Sequence, residues 1–124
     1  MKAYWIDSDS DEAKVVDTDA SLKDLYRMCQ CECIDVAVRN VHGIPFDFVV
    51  DDIGILVGSP TTVFDTNGHP QLVGSVVILK SDDEGDFAGL SDDDISVLRS
   101  VTSKSLIVHY ATSTIERRTV LVID

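Results

Sequence analysis

The sequence predicts an α+β domain with a mainly antiparallel sheet and two short helices. Three observations point there. Apolar residues recur at every second position over several segments, and only two segments show helical spacing behind a serine. Strands and helices do not alternate as βαβ units. With 124 residues, 44% of them hydrophobic, the chain is expected to fold as one domain over 1–124, with a core that needs no disulfide or metal staple.

Met1 to Ile6 is expected to be a strand, with Tyr4 and Ile6 on one face and Ala3 and Trp5 on the other. The run Asp7 to Glu12 (DSDSDE) reads as a solvated turn, and Ala13 to Asp17 as the returning strand of a hairpin. Ser21 caps a short helix, with Asp24 completing a capping box and Leu22, Leu25, Tyr26 and Cys29 at helical spacing. Ile34, Val36 and Val38 then alternate with Asp35, Ala37 and Arg39, the mark of a half-buried strand. Asn40 to Pro45 turns the chain, and Phe46, Phe48 and Val50 define the next strand. Asp51 to Gly54 signals a tight turn after which Ile55 to Val57 pairs back, while Pro60, Asn67-Gly68 and Pro70 make the middle irregular. Leu72 to Leu79 is the most apolar run and is expected to be a central strand. After a linker, Ser91 opens a second helix with Asp92, Asp93 and Asp94 in its first turn, where carboxylates favour the positive end of the dipole. Ile95, Leu98 and Val101 form its buried stripe. A terminal hairpin over 106–124, Leu106 to Tyr110 and Arg118 to Ile123 with Ala111 to Thr114 near the turn, closes the chain.

Charge is the strongest functional signal. Eighteen aspartates and four glutamates oppose five lysines and five arginines, for a net charge of −12, whereas a small soluble domain carries a magnitude of about 2–8. The carboxylates concentrate in three runs: Asp7, Asp9, Asp11 and Glu12; Asp82, Asp83, Glu84 and Asp86; and Asp92, Asp93 and Asp94. Such a surface should repel anionic nucleic acid and anionic membranes, so a partner selected by charge is basic. No segment approaches the ~20 apolar residues that cross a bilayer. Cys29, Cys31 and Cys33 are crowded and odd in number, unlike a secreted disulfide framework, and the first residues lack a signal-peptide pattern. Together these favour a reducing, cytoplasmic location.

No constellation supports an enzyme or a cofactor. Asp7-x-Asp9-x-Asp11 resembles half a calcium loop, but Glu12 and Thr18 occupy the places that require glycine and a bidentate glutamate. The cysteine spacing is too tight for a structural zinc site, and His42, His69 and His109 are scattered, so semi-buried thiols with Cys31 and Cys33 along a strand edge are expected. Gly58-Ser59-Pro60 and Val73-Gly74-Ser75 are turn and strand chemistry rather than a nucleophile elbow. Adjacent aspartates are solvated, whereas acid–base catalysis needs one desolvated. Asp65 to His69 is the loop best suited to a small-molecule contact.

The order strand, helix, CIDVAVR, FDFVVDDIG, LVGSVVI and then GDFAGLSDDDI (Gly85 to Ile95) resembles a small domain-of-unknown-function family carried by phages, plasmids and integrative elements of Gram-positive bacteria. The resemblance covers roughly Ala13 to Val101 and implies a mobile-element accessory protein, without any activity. Joined to the charge, it leads to the expectation of a non-enzymatic inhibitor in the host cytoplasm. That inhibitor would occupy the basic groove of a nucleic-acid-handling defence complex, of CRISPR-effector or restriction type, by mimicking a nucleic-acid backbone. Alternate residues of an extended segment lie roughly 6.6 Å apart, so Asp7, Asp9 and Asp11 would form a charge row to set against one phosphate per ~3.4 Å of each DNA strand. Two other readings stand. One is an oligomeric sink for a nucleotide signal, with Arg39, Arg99, Arg117 or Arg118 beside Tyr4, Trp5 or Tyr110. The other is an accessory domain whose acidity serves solubility alone.

Overall fold

The computed structural model describes residues 1–109 and 113–124. The opening hairpin is β1 (Lys2–Asp7) with β2 (Glu12–Asp17), followed by α1 (Leu22–Cys29) and the hairpin of β3 (Ile34–Val41) with β4 (Ile44–Asp51). Next come β5 (Thr61–Asp65), β6 (Pro70–Val73), β7 (Val76–Ser81), the two-residue β8 (Phe87–Ala88) and α2 (Asp92–Ser100). Strands β9 (Thr102–His109) and β10 (Thr114–Ile123) end the chain. The class is α+β and the pairing is antiparallel except between β5 and β10.

Two sheets share one body. The larger runs β2-β1-β7-β4-β3, with β8 also paired to β7, and the smaller runs β6-β5-β10-β9. Alternation decides which residue faces which layer. Ala3, Val49, Val77 and Leu79 on one face of the large sheet pack with Leu25, Met28 and Cys29 of α1. Tyr4, Ile6, Phe46, Phe48, Val76 and Ile78 on the other meet Val63, Leu121 and Ile123 of the small sheet and Ile95 and Leu98 of α2. The expected split of β1 into Tyr4/Ile6 and Ala3/Trp5 faces is therefore what forms. Both helix starts are local in origin. At α2, Ser91 and Asp94 make the reciprocal capping box at 3.1 and 2.9 Å. At α1, Ser21 caps the Asp24 N–H at 3.2 Å, but Asp24 turns to Thr18 and Arg27, and Asp19 takes the Ser21 N–H instead.

Several sequence expectations are corrected. The Leu72 to Leu79 run is two strands in different sheets, because Gly74 adopts φ +76 with Ser59 Cβ only 3.3 Å from where a Cβ would sit. The supposedly irregular middle contains the β5–β6 hairpin, turning at Asn67-Gly68. Ile55 to Val57 does not pair back; residues 52–58 form consecutive turns that leave Leu56 84% exposed. Leu22 is 58% exposed, and Met28 takes the buried position on α1. Val36 and Val38 are exposed rather than half-buried, because on that face of the edge strand β3 the α1 cluster reaches only Ile34. The terminal hairpin is longer than expected, starting at Thr102; Tyr110 and Ala111 lie outside the described residues. Phe48, fully buried at the centre, anchors the main core. Phe48→Ala is expected to lower the free energy of unfolding by about 3–5 kcal/mol in urea titrations.

Candidate functional site

The β1–β7 and β4–β7 pairings fix where the acidic runs go. Since β1 and β7 are antiparallel, the end of β1 meets the start of β7, where Ser75 accepts the Ser8 N–H at 3.0 Å. The end of β7 lies beside the start of β1, where Lys2 accepts the Leu90 N–H through its carbonyl at 2.9 Å. The run Asp7 to Glu12 thus sits at one end of the large sheet. The runs Asp82 to Asp86 and Asp92 to Asp94 sit together at the other, so the three do not share a face.

The first run is largely consumed internally. It turns instead of extending, so the expected row of Asp7, Asp9 and Asp11 does not form. Asp7 is buried and accepts the Asp9 N–H at 3.1 Å. Asp11 adopts φ +56, a left-handed conformation aspartate tolerates better than most residues. From there it accepts the Thr119 N–H at 2.6 Å and Lys104 Nζ at 2.7 Å, while its carbonyl accepts Thr119 Oγ1 at 2.9 Å. Arg118 lies 3.9 Å from the carboxylate and donates to the Ser8 carbonyl. This knot ties the opening hairpin to β10 one step before β5 takes over that edge. Partial burial pushes the Asp11 carboxyl up, but the hydrogen bonds from Lys104 and Thr119 outweigh it and hold its pKa below the usual value. Glu12 is 3.6 Å from Lys14, and Asp9 is exposed.

The far end is different. Asp82 closes the β7–β8 turn by accepting the Glu84 and Asp86 N–H groups at 2.9 and 3.0 Å, which leaves Asp83, Glu84 and Asp86 projecting into solvent. Asp92 pairs with Lys2 at 3.0 Å across an exposed surface, and Asp93 projects free. Asp94 is the exception: buried, it takes Lys80 Nζ at 3.0 Å while that ammonium also lies over the Phe46 ring at 5.7 Å. Burial raises the Asp94 pKa, but the Ser91 N–H and Lys80 more than reverse this and leave it lowered. Met1 and Thr18 exchange main-chain hydrogen bonds at 2.9 Å, which brings exposed Asp17 and Asp19 to the same end. These two were not singled out from the sequence, since only the β1–β2 register places them there.

A second end-on feature also escaped the sequence reading. Asp51, Asp52 and Glu32 border the loop carrying exposed Ile53, Ile55, Leu56 and Val57. Cys31 and Cys33 lie nearby, in the bend between α1 and β3 rather than along a strand edge, and Cys29 ends α1. Burial pushes the Cys29 thiol up to about 12, whereas Cys33 is exposed. The Asp65 loop is satisfied by itself, its carboxylate accepting the Asn67 and His69 N–H groups at 2.9 Å. Tyr4 and Trp5, two of the aromatic residues considered for a nucleotide pocket, lie on opposite faces of β1. Tyr4 is buried with its hydroxyl 2.8 Å from Thr102, and Trp5, on the opposite face, donates to the Met28 carbonyl at 3.1 Å. Arg118 is committed to the knot, and Tyr110 lies outside the described residues. Among the described residues no helix is long and apolar enough to cross a membrane, and no three His, Cys, Asp or Glu side chains are grouped as a metal would require.

A family model described as a domain of unknown function, DUF3846, matches residues 1–103, the body up to the first residues of β9. No curated protein and no solved structure matched the chain.

Two kinds of aspartate should separate experimentally. Asp11→Ala and Asp94→Ala are each expected to destabilise by about 1–3 kcal/mol in urea unfolding, while Asp83→Asn stays within about 0.5 kcal/mol. The Asp11 and Asp94 carboxyls have lower pKa values folded than unfolded, so their stabilisation is complete above the ordinary value of 3.8 and is lost as pH falls below it. Asp11→Asn and Asp94→Asn should therefore flatten the acid side of the stability–pH curve. Under thiol labelling at neutral pH, Cys33 should react first and Cys29 only on unfolding.

Proposed function

Because the chain belongs to DUF3846, a family with no assigned activity, its surface is the guide to its role, and we propose that it is a non-enzymatic binding protein whose acidic end occupies a cationic groove on a nucleic-acid-handling protein. One observation carries this. The Asp83, Glu84, Asp86 and Asp93 carboxylates project from the same end of the large sheet without a partner among the described residues, while in the first run Asp7 and Asp11 are engaged internally, Glu12 lies near Lys14 and only Asp9 projects alone. Unpaired charge grouped on a turn and a helix start produces a local field that steers a cationic partner. Asp17, Asp19 and Asp92 extend it.

In this proposal the carboxylates stand in for backbone phosphates and exclude nucleic acid from the groove. The resemblance to mobile-element proteins directs the search toward host defence complexes, a CRISPR effector or a restriction enzyme. Short aspartate side chains suit such a contact, since less rotamer freedom is lost when they are fixed than for glutamate. Anionic nucleic acid itself is not a partner, and the basis of recognition requires no cofactor.

The test is displacement of a fluorescent duplex from a panel of basic nucleases, followed by anisotropy. The wild-type protein should displace the duplex from its target, less effectively as salt rises. Asp83→Asn, Glu84→Gln and Asp86→Asn combined, which spare the turn-closing Asp82, should raise the half-displacing concentration about tenfold or more. Asp9→Asn with Glu12→Gln should change it by about twofold or less. Equal effects from the two sets would refute the proposal.

A further inference from the structure

Strand β3 is an open edge of unusual regularity. It forms eight unbroken rungs with β4, from Ile34 opposite Asp51 to Val41 opposite Ile44, and contains no proline. Natural sheets blunt such edges with charge, proline, bulges or short length. The other outer strands here do so. β6 is four residues long, begins at Pro70 and pairs with shifts in register. β2 carries Glu12, Lys14 and Asp17. On β9, Lys104 is held by Asp11. β3 instead exposes Val36 and Val38 on its α1 side, with Val38 60% accessible.

Its main-chain polarity is also defined. The Asp52 N–H donates to the Cys33 carbonyl, so odd-numbered residues turn their main-chain groups toward β4. Even-numbered residues turn theirs outward. The outward Val36 N–H is taken by its neighbour Asp35 Oδ1 at 2.9 Å, and the outward Val38 carbonyl by Arg39 Nη1 at 3.0 Å. These are short-range substitutes for a missing strand.

We infer that β3 pairs antiparallel with β3 of a second copy about a two-fold axis at Ala37, so that the large sheet continues from one protomer into the other. Self-complementarity singles out this register. With Ala37 opposite itself, Val36 of each copy faces Val38 of the other, as two outward-facing residues that exchange both main-chain hydrogen bonds. Asp35 of each copy faces Arg39 of the other, giving two opposite-charge cross-strand pairs on the same side. Centring on Val36 would set Asp35 against Ala37, and centring on Val38 would set Arg39 against Ala37; neither pairs the charges. A two-fold interface requires such reciprocity. Residues 34–41 hold one aspartate and one arginine, so this edge is a neutral gap in a chain of net charge −12. Repulsion between the copies is screened at physiological ionic strength, where the Debye length is about 8 Å. The pairing is independent of any target for the acidic end.

Sedimentation equilibrium at physiological ionic strength tests it. Wild-type protein should associate to twice its 13.6 kDa mass. Asp35→Arg alone and Arg39→Asp alone, each of which sets like charges across the axis twice, should weaken self-association about tenfold or more. An equimolar mixture of the two variants should recover the dimer, because unlike charges again face each other; misfolded chains would not recover. A monomeric wild type, single variants that dimerise as well as wild type, or a mixture no more associated than its components would each overturn the assignment.

Discussion

Strand β7 is the constraint on which the rest of the structure depends. Val76, Val77, Ile78 and Leu79 are all fully buried, so over these four residues the strand has no solvent face. Burial of each such side chain contributes about 1.5–3 kcal/mol, and keeping both faces dry requires a layer on each side. Helix α1 supplies one layer; α2 and the small sheet supply the other. With β1 and β4 paired to its two sides, the direction of β7 decides which loops meet at each end of the large sheet. The acidic end follows from that register, since β7 delivers Asp82 to Asp86 beside the start of β1, and Leu90 is tied to Lys2 before α2 begins.

The same residue type serves two purposes in this chain. Asp11 and Asp94 stabilise it: each accepts an ammonium and a backbone N–H, the charge-assisted bonds that are stronger than neutral ones. Asp83, Glu84 and Asp86 have no side-chain partner among the described residues, and Asp93 contributes only through its place in the first turn of α2. They add repulsion to a chain already at −12. Solubility alone accounts for scattered charge more readily than for charge gathered on one turn and one helix start. That contrast, rather than the net charge, supports an external target.

What was legible in the sequence was local. Ser91 and Asp94 are three residues apart, and their capping box needs nothing else. The alternation through Phe46, Phe48 and Val50 records a buried face directly. What was hidden depends on contacts distant in sequence. Asp11 and Asp83 sit in similar acidic runs, and only Lys104 and Thr119, roughly a hundred residues away, make one structural. The break at Gly74 is masked because apolar residues continue on both sides, toward different sheets. Val36 and Val38 carry a perfect strand pattern, yet no pattern tells whether a helix covers that face. The apolar Ile53 to Val57 loop reads as a strand for the same reason, its hydrophobicity being visible and its exposure not.

The partition of carboxylates yields a field that can be measured residue by residue. Paramagnetic relaxation of backbone amides by a cationic nitroxide cosolute, compared with its neutral analogue, reports the local potential at each position. The largest cation-specific enhancement is expected at 82–86 and 92–93, with a much smaller one at 8–12, where Lys104 and Arg118 offset the charge. Enhancement spread evenly over the surface, or greatest at 8–12, would contradict that partition.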